Sequence, residues 1–182
     1  MVRLISEDDV NKDVCLWCGA ELPAIDGPTH KYMQSSASCW AAFGRVLSKE
    51  YSDQQYFEVH RLAVDAYAVQ HPGIESRQSI QSVGVHLVRL CLFLEHGLEA
   101  TQANDAMLAA AQQKASYHWL EPPGSMGVLT ASDVDAATNA AEHKMLVKRW
   151  AEQMWRAWSD HHETVRKWAT LTSVFALVLP MV

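Results

Sequence analysis

Three of the chain's four cysteines lie within the first forty residues, as Cys15-x2-Cys18 followed by Gly19, and then Cys39. Two thiols at this spacing, with a glycine to turn the chain, can close on one ion or on each other. In an oxidising compartment four cysteines would suggest two disulfides, but the opening residues turn acidic at Glu7-Asp8-Asp9 and lack the apolar core of a secretion signal. The expected setting is therefore the reducing cytoplasm, where the pair reads as a metal clip or a redox dithiol. No βαβ pattern follows to seat a reactive thiol at a helix N-terminus, which favours the clip. Adding His30 completes three thiolates and one imidazole, a set that suits tetrahedral zinc, so the predicted ligands are Cys15, Cys18, His30 and Cys39. The interval from His30 to Cys39 is wider than in the usual finger, and His60 is a rival fourth ligand if its helix folds back beside the clip.

The clip answers a physical need. Residues 1–45 carry Gly19, Pro23, Gly27, Pro28 and Gly44 with no long periodic run, and read as loop-rich. A metal can supply the folding free energy such a segment lacks. Beyond it the pattern is helical. One helix runs from Ser52 or Asp53 to Gln70 and stops at His71-Pro72-Gly73, and a second runs from Ser76 to His96-Gly97. Its stretch Val83 to Leu94 is apolar almost all round, which implies a central position and makes Cys91 a small core residue. A shorter helix spans Thr101 to Ala115. Pro122-Pro123-Gly124 then breaks the pattern, and Thr130-x-x-Asp133 reads as a capping box. No Gly or Pro occurs from Val128 to Leu179, so the last segment is one very long helix or two with a bend.

The expected fold is all-α: one domain, 1–182, with a zinc-clipped segment (1–45), a helical bundle (52–170) and an apolar tail (171–182). The apolar run Val174 to Val182 is far shorter than the ~20 residues of a membrane span, so no span is expected. A formal charge of −6 without a dense basic block argues against nucleic acid as a partner.

Histidine sits on the core-facing stripes of three predicted helices. His60 and His71 flank Tyr67 on one stripe, His86 lies in the apolar second helix, and His161 and His162 lie in the last segment among tryptophans. Such histidines can simply hold helices in register. Alternatively His60, His86 and His162 (or His161) converge with Asp65, Tyr67 and Glu142 as a second metal site or an acid/base pocket, and these three histidines are the catalytic candidates. The absence of a His-x3-His or Glu-x2-His pair on the first two helices weighs against a second metal, and adjacent His161 and His162 point about 100° apart on a helix. Trp17 and Trp40 each neighbour a cysteine and are expected to shield the clip, whereas Trp150, Trp155, Trp158 and Trp168 belong to helix packing.

The functional expectation is a zinc-binding helical protein whose histidine-lined interior pocket serves a small molecule or metal-dependent chemistry. Its alternative is a non-enzymatic interaction module with a structural zinc, in which the Trp-rich helix or the apolar tail docks a protein partner.

Taken together, Cys15-x2-Cys18-Gly19, Asp26-Gly27-Pro28-Thr29-His30, His60-Arg61-Leu62, Asp65-Ala66-Tyr67, Gln70-His71-Pro72-Gly73, Ser76 to Ser82 and Trp158-Ser159-x-His161-His162 resemble an uncharacterised family. It comprises small bacterial Cys/His-containing proteins catalogued as a domain of unknown function. The resemblance covers roughly residues 12 to 168. It implies no reaction, substrate or ligand set.

Overall fold

Two short strands, β1 (Lys12–Val14) and β2 (Glu21–Pro23), pair antiparallel around the Cys15–Gly19 turn. The computed structural model describes residues 11–172. The turn closes because Cys15 and Gly19 each complete a backbone hydrogen bond: Gly19 N–H donates to Cys15 O at 2.9 Å, and Cys15 N–H to Ala20 O at 3.0 Å. Gly19 takes φ +69°, a conformation natural to glycine.

Eight α-helices follow among the described residues: α1 (Ala37–Ser52), α2 (Gln54–Phe57), α3 (His60–Gln70), α4 (Arg77–His96), α5 (Ala103–Gln112), α6 (Ala131–Asp135), α7 (Ala140–Ala157) and α8 (His162–Thr170). The mostly helical architecture agrees with the expected class, with the two-stranded hairpin as its one β feature among these residues.

Helix α1 begins inside the segment expected to be loop-rich. The Ser36 hydroxyl caps it by accepting from the Cys39 N–H, and Cys39, Ala42, Phe43, Val46 and Glu50 form its buried stripe. Gly44 lies on the exposed side of the helix, where it costs helix propensity without disturbing packing. The hairpin is fastened to this start: Ser38 N–H donates to Asp13 Oδ2 of β1, and Ser38 Oγ to the Pro23 carbonyl of β2. Burial raises the Asp13 pKa, but hydrogen bonds, first from the Ser38 backbone and then from the Ser36 hydroxyl, outweigh it and leave the net pKa below the usual value.

The helix expected over 53–70 is divided into α2 and α3 by a turn at Glu58-Val59. Helix α4 starts at a Ser76 cap and ends at Gly97 (φ +66°), as read from its sequence. The Thr130–Asp133 capping box forms and opens α6. The last segment is divided more finely than one bend. After α6, Asn139 caps α7, which stops at Trp158 before a 3-10 turn (Ser159–His161) leads into α8.

Helices α3 and α4 occupy the centre, α3 against α4 and α7, and α4 against α3, α5, α7 and α8. Gly84 on α4 is required by the ring of Tyr117: a Cβ there would come within 2.5 Å of it. Trp150, Trp155, Trp158 and Trp168 are all buried, which assigns them to the core and not to a partner-facing surface. No described helix is long and apolar enough to cross a membrane. The apolar tail expected at 171–182 lies, from residue 173 onward, outside the described residues.

Candidate metal centre

The hairpin turn, the start of α1 and the end of α3 bring four side chains together. The sulfurs of Cys15, Cys18 and Cys39 and a ring nitrogen of His71 all lie within 4.8 Å of one another, and all four residues are buried. Cys18 Sγ is 3.7 Å from Cys39 Sγ, and Cys39 Sγ is 3.4 Å from His71 Nε2. With metal–sulfur bonds of ~2.3 Å and metal–nitrogen bonds of ~2.0 Å, the edges of a tetrahedron measure roughly 3.8 and 3.5 Å. The two observed edges match those lengths, so the cluster could hold one metal ion. All four cysteines are free thiols.

Each of the four side chains is placed by local structure. Cys15 and Cys18 hang from the glycine turn, and Cys39 sits in the capped first turn of α1. His71 is the first residue past α3, and its Nδ1–H donates to the Tyr67 carbonyl at 2.9 Å. That bond fixes the tautomer and turns the Nε2 lone pair toward the sulfurs. Pro72 and Gly73 end the helix there, with Gly73 at φ +75° against the carbonyl of Tyr32, a position with no room for a Cβ.

The Tyr67 phenol lies 3.7 Å from Cys39 Sγ. Burial, then the charge at Cys39, pushes the phenol pKa upward, so it keeps its proton as a donor toward sulfur. Without a cation the three thiols divide the charge unequally. Hydrogen bonds from Cys18 and then Cys39 pull the Cys15 thiol far down, while its thiolate pushes Cys18 up to about 12 and Cys39 higher still. Holding all three as thiolates would take a cation beside them, a condition a divalent ion could satisfy.

Three of the four ligands expected from sequence are brought together; the fourth, His30, is not. Its Nδ1 accepts from the Met33 N–H at 3.3 Å, its ring packs on Tyr32 and Trp40, and burial lowers its pKa. His71 is the fourth member of the cluster instead. The rival ligand His60 is on the right helix but at its opposite end, two turns or more from the sulfur cluster. The signal for His71 was present in the stripe it shares with Tyr67 and in the Pro-Gly stop that follows it. Of the two tryptophans expected as shields, Trp40 packs on His30 and Tyr67, and Trp17 packs against the core.

Among the described residues, the three candidate catalytic histidines share no hydrogen-bond partner. His60 donates from Nδ1 to Glu50 Oε2 at 2.9 Å, and its Nε2 meets the Tyr51 hydroxyl; His143 donates to the other oxygen of the same carboxylate at 3.0 Å. His86 donates from Nδ1 to Asp65 Oδ1 at 2.7 Å, beside the buried Arg89, which donates to the same oxygen at 2.8 Å. His162 stacks on Trp155 at 3.8 Å and donates to its carbonyl. His161 donates to the Glu121 carbonyl. A cavity of about 650 Å³ beside α2, α3 and α5 is lined by Phe57, Val59, Arg61, Leu62, Phe93 and Lys144, among others, and by no histidine among the described residues.

Comparison with curated proteins and with solved structures gives no match. A family model described as a family of unknown function (DUF5946) matches residues 13–159, a span that contains Cys15, Cys18, Cys39 and His71. The chain therefore belongs to that family of unknown function.

Proposed function

We propose that the protein is a zinc protein of the reducing cytoplasm in which Cys15, Cys18, Cys39 and His71 bind one zinc ion, and that this ion is structural. The donor chemistry supports zinc: three thiolates and one imidazole in a tetrahedron are its preferred set, and hard cations such as magnesium avoid sulfur. The observation that carries the reading is the closure of the site. Four buried protein ligands use every corner of a tetrahedron and leave no position for a substrate or an activated water. The ion would join the hairpin, the start of α1 and the end of α3, segments far apart in the chain, and so would anchor the N-terminal segment to the bundle core. On this reading the ion supports the fold, and any ligand chemistry belongs elsewhere in the bundle.

The experiment is elemental analysis of the purified full chain, paired with thermal unfolding before and after chelation. One zinc per chain, with a marked fall in melting temperature on its removal, supports the reading. A metal-free protein of the same stability, or a disulfide among these cysteines under reducing conditions, overturns it.

A further inference from the structure

The cavity of about 650 Å³ lies at the start of α3, the opposite end of that helix from the sulfur cluster, and shares no residue with it. Its size is that of a small-molecule site. Val59, Leu62 and Leu98 are buried in its wall and Phe93 is partly buried beside them, so its floor is apolar and is built on the ends of α3 and α4. Four charged side chains complete the wall: Glu58, Arg61, Lys144 and Lys148. Three of these are cations of a kind that stays charged throughout the neutral range, and Glu58 is the one carboxylate lining the cavity among the described residues.

The partners of these groups select the ligand class. Glu58 is taken by Lys144 at 2.9 Å. Arg61 donates to Asn104 Oδ1 at 2.7 Å, a neutral acceptor that positions the guanidinium and leaves its charge unmatched. Asp65, one turn further along α3, is fully buried and already accepts from His86 and Arg89. Lys148 follows Lys144 by one turn of α7 and has no ion pair among the described residues. Like charges at that spacing destabilise a helix, and Glu58 matches one of the two. A chain of formal charge −6 thus sets a fixed surplus of cations over an apolar floor. A neutral apolar ligand would leave the surplus unmet, and an inorganic anion would leave the floor wet. We propose that this cavity binds a small carboxylate with an apolar chain, the chain lying on Val59, Leu62, Phe93 and Leu98 and the carboxylate between Arg61 and Lys148. The planar guanidinium fork suits that head group.

The test is isothermal titration calorimetry of the full-length protein with octanoate, and in parallel with octanol, which lacks the charge, and acetate, which lacks the chain. The expected result is one saturable octanoate site per chain. Octanol should bind at least about tenfold more weakly, the size of a lost hydrogen bond to a charged group. Acetate should bind more than about fiftyfold more weakly, since each buried methylene is worth about fourfold. Lys148 and Ala100 both line the cavity at exposed positions, where substitution leaves the core intact. Lys148→Glu should weaken octanoate about fivefold and leave octanol unchanged, because reversal removes an attraction and adds a repulsion. Ala100→Trp should fill the cavity and abolish both, with an unchanged melting temperature. Equal affinity for octanoate and octanol removes the anion and overturns the proposal. So does octanoate binding that is the same in both variants, which marks adsorption elsewhere. Absence of saturable octanoate binding overturns it too, and self-association lost in Lys148→Glu would then identify a second copy of the chain as the occupant.

Discussion

The ring of His71 is held by the carbonyl of Tyr67, one turn earlier on α3, through an Nδ1–H bond of 2.9 Å. The same tyrosine places its hydroxyl 3.7 Å from Cys39 Sγ, so a single residue supports two members of the sulfur–imidazole cluster. It is itself locked by stacking on Phe43, with ring centres 3.9 Å apart. Tyr67→Phe keeps the stacking and the carbonyl and deletes only the donor to sulfur. Metal affinity should fall about tenfold, at the lower end of what outer partners of metal ligands are worth. Competition against a chromophoric chelator measures it, and an unchanged affinity would remove Tyr67 from the site.

The ligand set is separable by two substitutions. His71→Ala should lower metal content at equal zinc activity and destabilise the fold, because a tetrahedral corner and a buried polar partner are both lost. His30→Ala should keep full metal content, since His30 bonds to Met33 and packs on aromatic rings. The opposite pattern would restore His30 to the ligand set.

The contrast between these two histidines shows how far sequence reading reaches. Three thiols close in the chain point, through spacing alone, to the gathering of sulfurs that the hairpin and the start of α1 produce. The fourth member of the cluster depends on how a distant helix returns to the hairpin, and the spacing of Cys15, Cys18 and Cys39 carries no record of that path. Helix α4 was legible because its cap at Ser76, its apolar run and its Gly97 stop all agree. Helix α1 was not, because Ser35-Ser36-Ala37-Ser38 and Gly44 resemble turn chemistry. The serines are in fact a cap and an anchor for the hairpin, and the glycine lies on the solvent side. The histidine stripes were read correctly as inward-facing for His60 and His86. Their separate carboxylates, Glu50 on α1 and Asp65 on α3, were set by helix packing that periodicity does not reveal.

Glu50 is fully buried and bridges His60 of α3 and His143 of α7, so it ties three helices with one side chain. Glu50→Leu strands two buried imidazoles without acceptors. The expected loss is about 1–3 kcal/mol per stranded group, read as a lower midpoint in urea. Metal content should stay at the wild-type level in folded protein, because this bridge shares no residue with the sulfur cluster. Wild-type stability in this variant would show that the bridge contributes nothing.

Gly84 lets α4 meet the ring of Tyr117, whose hydroxyl donates to the Ala110 carbonyl at the end of α5. In Gly84→Ala the new methyl would sit 2.5 Å from ring carbons. The ring is buried and anchored, and cannot swing aside as a flexible chain end would. Overpacking of this kind costs about 1–3 kcal/mol, which exceeds the helix propensity that alanine gains over glycine. A chemical denaturation midpoint at or above wild type would mean that the 113–120 segment yields.

The acid limb of stability should depend on Glu95. Its carboxylate accepts two hydrogen bonds of 2.7 Å from Arg166 of α8 and one of 3.1 Å from the Trp155 indole. The Arg166 hydrogen bonds, against a smaller opposing effect of burial, hold its pKa below the ordinary value of 4.5. A carboxyl with a depressed folded-state pKa binds fewer protons folded than unfolded. Its contribution is therefore complete above 4.5 and is lost as pH falls through the lower folded value. Arg166→Met should flatten stability against pH in that acid window and leave its slope near neutrality unchanged. Because Arg166 is about half exposed (51%), high salt should reproduce part of the effect in the wild type. Trp155 fluorescence during acid titration reports the event directly, and coincident acid transitions of the wild-type and Arg166→Met proteins at low salt would exclude Glu95 as their origin.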